Sequence, residues 1–229
     1  MKNQFFISGL GADEKAFSKL GDFGTNKIFI EWLRNHDNES LHSYCQRLID
    51  QYNIQQGDLL LGLSFGGLIA QQIAEIVGID KVILISSFRT KDDLKMVFNK
   101  ALAYRLHKLI PNAKSDLVAN LVANFLNSGT SSSRSIIQEM VKSTDMILMN
   151  WSIEKIYQQD HELAPGIAKV NLIGTKDRIV KTWHSESTHL IEGGSHFMVY
   201  EQAEAVSNII RNFIAWSCEV GCSSIWLHY

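Results

Sequence analysis

Six short apolar runs punctuate the sequence, at residues 3–8 (NQFFIS), 27–31 (KIFIE), 58–62 (DLLLG), 81–86 (KVILIS), 169–173 (KVNLI) and 188–192 (THLIE). Several are apolar at every position instead of alternating with polar residues. A strand of that kind must be covered on both faces, which is the situation of a parallel sheet sandwiched between helices. Helical periodicity fills the gaps. Leu41, Tyr44, Leu48, Ile49 and Tyr52 recur at helical spacing over 40–53 behind a capping Ser40, residues 65–77 (FGGLIAQQIAEIV) form a second helix, and 199–216 a third. Strand–helix alternation of this sort predicts an α/β fold of about six mostly parallel strands with right-handed crossovers.

One connection is too long. A parallel crossover needs about a dozen residues, yet residues 87–168 separate the fourth strand from the fifth. Helical patterns recur within this stretch at 92–109, 115–127 and 134–159, the last broken near Asp145, with a Ser-rich hinge (NSGTSSSRS) over 127–135. The expectation is one domain spanning 1–229, carrying a helical cap over 90–165 inserted before the fifth strand. Met96, Phe98, Tyr104, Phe125, Met140, Met146, Met149 and Trp151 stud the insertion. Taken singly they read as packing; as a group they suit the lining of an apolar pocket.

Composition excludes several partners. With 45% hydrophobic and 20% charged residues and a net charge of -2, the chain offers no electrostatic reason to bind nucleic acid or an anionic membrane. No window approaches the roughly 18 apolar residues of a membrane span, and MKNQFFISGL falls short of the apolar segment of about 7–15 residues in a signal peptide. Cys45, Cys218 and Cys222 lack ligand-like histidine spacing, so free thiols in a reducing cytoplasm are expected.

The chemistry begins at LLLGLSFGG (59–67), where an apolar strand turns through Gly62-Leu63-Ser64-Phe65-Gly66 into a helix. A serine held between glycines at a strand-to-helix junction projects its hydroxyl outward from a strained turn. The helix's free N–H groups and positive dipole end lie beside it. Ser64 is therefore the candidate nucleophile and Phe65 N–H the first oxyanion donor. Such a serine needs a base and a group to orient it. Of eight histidines, only His196, in the Gly-rich loop IEGGSHFMVY between the last strand and the last helix, lies at a strand's carboxyl end with freedom to approach Ser64. Asp177, just past the fifth strand in LIGTKDRIV, is the candidate orienting acid; Asp92 and Asp93 are the fallback. The order Ser, Asp, His is the one a nucleophile-elbow fold uses.

The second donor should come from ISGLGADEKAF, after the first strand. Leu10 N–H is the first choice and Gly11 the alternative, with Asp13 capping the next helix. Gly9-Leu10-Gly11 also resembles the start of a dinucleotide loop. However, the third glycine is missing, and Asp13 and Glu14 would repel a phosphate. Gly11, Trp32, Met149 and Trp151 are the residues expected against the substrate. No metal or organic cofactor is implied.

The segments ISGLGADEKAF, GLSFGG, VILISS, GTKDRIV and GGSHFMV together resemble the α/β-hydrolase superfamily. They are most similar to its small, largely uncharacterised bacterial members with a GLGAD loop after the first strand. The resemblance implies a serine hydrolase working on a small-molecule acyl substrate, a carboxylic ester or thioester, through an acyl-enzyme. The same residues also serve acyltransferases, carbon–carbon hydrolases and lyases; a binding protein retaining the pocket without the chemistry is the remaining reading. Many relatives carry His-Gly where this chain has Ser8-Gly9. The sequence starts at what corresponds to the superfamily's third strand, so a minimal, nearly all-parallel sheet is expected.

Overall fold

The computed structural model describes residues 3–24, 26–96, 115–126, 129–158 and 167–223. Six strands, β1 (Asn3–Ile7), β2 (Asn26–Ile30), β3 (Leu59–Leu63), β4 (Lys81–Ile85), β5 (Ala168–Gly174) and β6 (Thr188–Ile191), form one sheet in the order β2-β1-β3-β4-β5-β6. Every pairing is parallel, so all six carboxyl ends lie along one edge. The chain steps from β1 outward to β2 and then returns to the other side of β1 as β3. The reversal opens a crevice between the carboxyl ends of β1 and β3, the place where open α/β sheets bind ligands.

Side-chain alternation along the strands divides the core in two. Phe5, Ile7, Leu60, Val82 and Leu84 meet Tyr44, Leu48, Leu68, Ile69 and Ile73 from the helices α1 (Leu41–Tyr52) and α2 (Phe65–Val77). Phe6, Leu59, Leu61, Leu63, Ile83, Ile85 and Leu172 pack on the opposite face against Phe17, Met198, Val206 and Ile210. Both sides of β3 are thus buried, which explains its uninterrupted apolar run. Ser40 caps α1 as expected, its hydroxyl accepting from Ser43 N–H at 3.0 Å.

Between β4 and β5 lie helices α3 (Asp116–Leu126), α4 (Ser131–Ser143) and α5 (Met146–Gln158). They cover both halves of the core. Leu148, Trp151, Ile153 and Ile156 of α5 join the cluster of α1 and α2. Ala119, Ala123, Ile137 and Met140 of α3 and α4 join the other. The chain closes with α6 (Met198–Glu201) and α7 (Ala203–Ser223). Among the described residues, no helix is long and apolar enough to cross a membrane.

Four expectations are corrected. The strand at 58–62 begins one residue later, because Asp58 caps the preceding turn, accepting from Gln55 N–H at 2.9 Å and Asn3 N–H at 3.1 Å. The helix expected at 92–109 does not start there. Thr90 caps a 3-10 turn at Lys91–Asp93, and Leu94 then pairs with Val180 in an antiparallel bridge; residues 97–109 lie outside those described. The Ser-rich hinge is shorter, since Thr130 accepts from Ser133 N–H and makes Ser131 the first helical residue. The last helix is divided at Gln202, whose backbone leaves the helical region (φ -123°, ψ 40°). It then runs on to Ser223, seven residues beyond the end expected at 216. Gly221 weakens that last turn by about 1 kcal/mol relative to Ala but does not end it.

Candidate active site

Ser64 is the turning point between β3 and α2. Its backbone has φ 52° and ψ -119°, and its side chain makes no capping bond to the helix that it precedes. A non-glycine residue there is strained, at about 1–3 kcal/mol, and persists only if its surroundings dictate it. They do so through close backbone approach. A Cβ on Gly62 would run into the backbone of Gly66 and Gly67, and one on Gly66 would collide with the carbonyls of Ile7 and Ser8. Strand, turn and helix are pressed together with no room for side chains. Ser64 N–H donates to Ile85 O at 2.9 Å, and Ser64 O accepts from Gly67 N–H at 2.9 Å and Ser87 Oγ at 2.8 Å. The turn is locked while the Ser64 hydroxyl stays partly exposed.

His196 reaches this hydroxyl. Its Nε2 lies 3.0 Å from Ser64 Oγ, while Nδ1 lies 2.8 and 3.0 Å from the two carboxylate oxygens of Asp177. Asp177 is 1% exposed and His196 6%. A buried carboxylate facing Nδ1 holds the proton on that nitrogen, leaving the Nε2 lone pair directed at the serine. Burial alone would raise the Asp177 carboxyl. The His196 imidazole opposite, its hydrogen bond, and N–H donors from Val180 (2.9 Å) and Ile179 (2.8 Å) outweigh burial and leave the group below the ordinary carboxylate range.

The loops bearing Asp177 and His196 are stitched to each other. Lys176 N–H donates to Gly194 O, and Gly193 N–H to Thr175 Oγ1, both at 2.8 Å. A third segment braces the acid loop from outside: Lys95 Nζ donates to Asp177 O, Lys95 N–H to Ile179 O at 2.7 Å, and Lys181 N–H to Asp93 O at 2.8 Å. The fallback acids take other positions. Asp93 forms a two-pronged pair with Arg89, both contacts at 2.9 Å, and Asp92 is exposed.

The loop after β1 lies against the serine. A Cβ built on Gly9 would stand 3.3 Å from Ser64 Cβ. Among the described residues, the N–H groups of Leu10 and Phe65 have no hydrogen-bond partner within the chain. Phe65 N–H is also the amino end of α2, where the helix dipole favours negative charge. Gly11, at φ 71°, packs beside Met149 and Thr144, and the Thr144 hydroxyl lies 3.4 Å from Gly11 O.

The four expected substrate contacts divide. Gly11 and Met149 come together beside the Leu10 loop. Trp32 stacks on Phe65 with ring centroids 5.6 Å apart. Its indole N–H is shared between Ser8 Oγ (2.9 Å) and Ala12 O (3.1 Å), so the ring braces that loop. Trp151 is 7% exposed, lies 4.6 Å from the Tyr44 ring and donates to Glu39 O at 2.9 Å. It borders an open cleft of about 330 Å³ with Asn35, Asn38, Asn150 and Glu154, a cleft not lined by Ser64, Asp177 or His196. Ser87, Lys95 and Thr175 were not anticipated. Only Ser87, placed at the end of the fourth strand by VILISS, left a signal in the sequence.

No family model matches the chain, and no curated protein matches it. Solved structures do. A carboxylesterase of Nitrososphaera gargenis superposes with a TM-score of 0.73 at 15% identity, covering 95% of this chain and 91% of that one. The enol-lactonase of Burkholderia xenovorans gives 0.72 at 16%, covering 93% and 91%. The bromoperoxidase of Bacillus anthracis gives 0.70 at 16%, covering 93% and 92%. At such identities the likeness establishes the architecture, the α/β-hydrolase fold, while the neighbours' own names span different reactions.

Proposed function

We propose that this chain puts its α/β-hydrolase fold to use as a serine hydrolase, cleaving carboxylic esters or thioesters through an acyl-enzyme. The observation that carries the reading is the unbroken hydrogen-bonded sequence from Ser64 Oγ to His196 Nε2 (3.0 Å) and from His196 Nδ1 to Asp177 (2.8 Å). A hydroxyl on a strained turn, aligned with an imidazole that is itself aligned by a buried carboxylate, is the arrangement that makes an alcohol nucleophilic at neutral pH.

In the first half-reaction Ser64 Oγ attacks the acyl carbonyl carbon and its proton passes to His196 Nε2. Asp177 stays ionised and stabilises the imidazolium. The carbonyl oxygen takes the negative charge and is met by Leu10 and Phe65 N–H; loss of one such donor costs about 10²–10³ in rate in other enzymes. Collapse expels the alcohol or thiol, which leaves with the proton from His196. In the second half-reaction His196 takes a proton from water, the hydroxide adds to the acyl carbon, and Ser64 departs reprotonated with release of the acid. The helices between β4 and β5, within the insertion 90–165, serve as the cap. Leu10, on the loop whose Gly9 lies against Ser64, and Met149, packed beside Gly11 of the same loop, favour an apolar, medium-length acyl group.

A fluorophosphonate probe tests the reading. Wild type is expected to acquire one adduct on Ser64, and Ser64→Ala none, with ester turnover falling about 10⁶-fold by analogy with other serine hydrolases. Labelling that persists in Ser64→Ala, or its absence from wild type, would refute the proposal. Profiling against esters, thioesters and competing alcohol acceptors separates hydrolysis from acyl transfer.

A further inference from the structure

Glu201 belongs to the four-residue helix α6, just beyond His196, and its two carboxylate oxygens take different partners. Oε2 accepts from Ser195 Oγ at 2.7 Å; Oε1 accepts from Ser133 Oγ, also at 2.7 Å. Neither serine has an ordinary surface position. Ser195 is 5% exposed and immediately precedes His196, while Ser133 is fully buried in the first turn of α4, within the insertion.

The Ser195 arm grips the backbone around the imidazole. Besides donating to Glu201, Ser195 Oγ accepts from Phe197 N–H at 3.1 Å, so the residues on both sides of His196 are tied into one chain of hydrogen bonds ending on the carboxylate. The insertion also reaches the loop directly, because Phe197 N–H is shared with Leu126 O, at the end of α3, at 3.2 Å. Arg178, beside Asp177, donates to Asn124 O of the same helix at 2.8 Å. The carboxyl end of α3 and the amino end of α4 thus both fasten onto the loops that carry the imidazole and its carboxylate partner.

We infer that Glu201 is a positioning residue: through Ser195 and Ser133 it couples the seating of the helical insertion to the alignment of His196 with Ser64. This rests on the hydrolase reading. A carboxylate taking two hydroxyl donors makes two charge-assisted bonds, stronger than neutral ones, and holds both partners in fixed directions. Since a misplacement of about 1 Å at a reacting pair can cost about 10²-fold, a modest loosening of this clamp should be visible in rate while leaving substrate affinity alone.

The test is fluorophosphonate labelling of Ser64 as a function of probe concentration, corrected for the folded fraction of each variant. Ser195→Ala should lower the maximal labelling rate about tenfold with the half-saturating concentration unchanged, and Ser195→Thr, which keeps the hydroxyl, should recover it to within about twofold. Ser133→Ala should lower the rate less, about threefold, in the same direction. Adding Ser195→Ala to Glu201→Ala should lower it by less than Ser195→Ala does in the wild type, because both changes remove the Ser195–Glu201 bond and only the Phe197 contact is lost in addition. If Glu201→Ala does not fold, Ser133→Ala, which leaves both Ser195 bonds in place, decides together with the Ser195→Ala and Ser195→Thr pair. Wild-type labelling rates per folded molecule in Ser195→Ala would overturn the inference and leave the hydrolase proposal standing. Absence of a Ser64 adduct in the wild type would remove both.

Discussion

The serine turn and the histidine loop deliver side chains to the same hydrogen bond by different means. Ser64 is fixed by main-chain crowding: Gly62, Gly66 and Gly67 bring strand, turn and helix so close that the serine's positive φ is forced on it. His196 is fixed by several separate bonds: Asp177 at its ring, Ser195 and Glu201 beside its backbone, and, from far away in sequence, the end of α3 and the start of α4. The first device tolerates nothing larger than hydrogen and should fail abruptly. The second is distributed over several bonds and should fail by degrees.

Breaking the second device at its ring contact should have the largest effect. Asp177→Asn preserves shape but presents an amide to Nδ1, favours the wrong tautomer, and is expected to reduce turnover about 10⁴-fold at neutral pH with little change in ester KM. Steady-state kinetics measures this, and a loss below about tenfold would mean that the carboxylate does not orient the ring. Breaking the first device should cost the fold instead. Gly66→Ala drives a methyl group into the Ile7 and Ser8 carbonyls, and a loss of about 1–3 kcal/mol or more is expected in denaturant unfolding, together with loss of Ser64 labelling. A stable, active Gly66→Ala would show that the turn has slack.

The smallest effect sharpens the comparison in acid. The folded Asp177 carboxyl titrates below the ordinary range, and its unfolded counterpart titrates at about 3.9. A depressed folded pKa adds stability that is complete above the unfolded value and is lost as pH falls through the folded one. The stability advantage of wild type over Asp177→Asn should therefore hold down to about pH 4 and shrink below it. Thermal melts of both proteins across that range check it; an advantage that grows with acid would reverse the assignment.

The same contrast explains what the sequence made legible. The strands were readable because Leu59–Leu63 and Lys81–Ile85 are buried on both faces, and burial leaves an apolar run. Ser64 was readable because its constraint is local: glycines within three residues. Asp177 and His196 could be placed at strand ends, and the structure brings both to Ser64. The supports around them left no comparable trace. Lys95 on the Asp177 carbonyl and Ser133 on Glu201 are pairs separated by 82 and 68 residues, and nothing in either partner's neighbourhood specifies the other. Trp151 shows the converse. An aromatic residue in an insertion suggested a substrate wall, but its N–H is taken by the Glu39 carbonyl and its ring by Tyr44. The helix break at Gln202 was equally invisible, since Met198, Val199, Val206 and Ile210 keep an apolar pattern across it.

The distance along the chain between hydroxyl and imidazole, 132 residues, has a consequence during synthesis. At about 5–20 residues per second, the serine emerges from the ribosome on the order of ten seconds before the imidazole. Until β6 docks at the far edge of the sheet, the nascent polypeptide holds an alcohol with no partner to activate it. On the hydrolase reading, reactivity is switched on only when the final layer closes, so a chain that ends before His196 should be chemically silent.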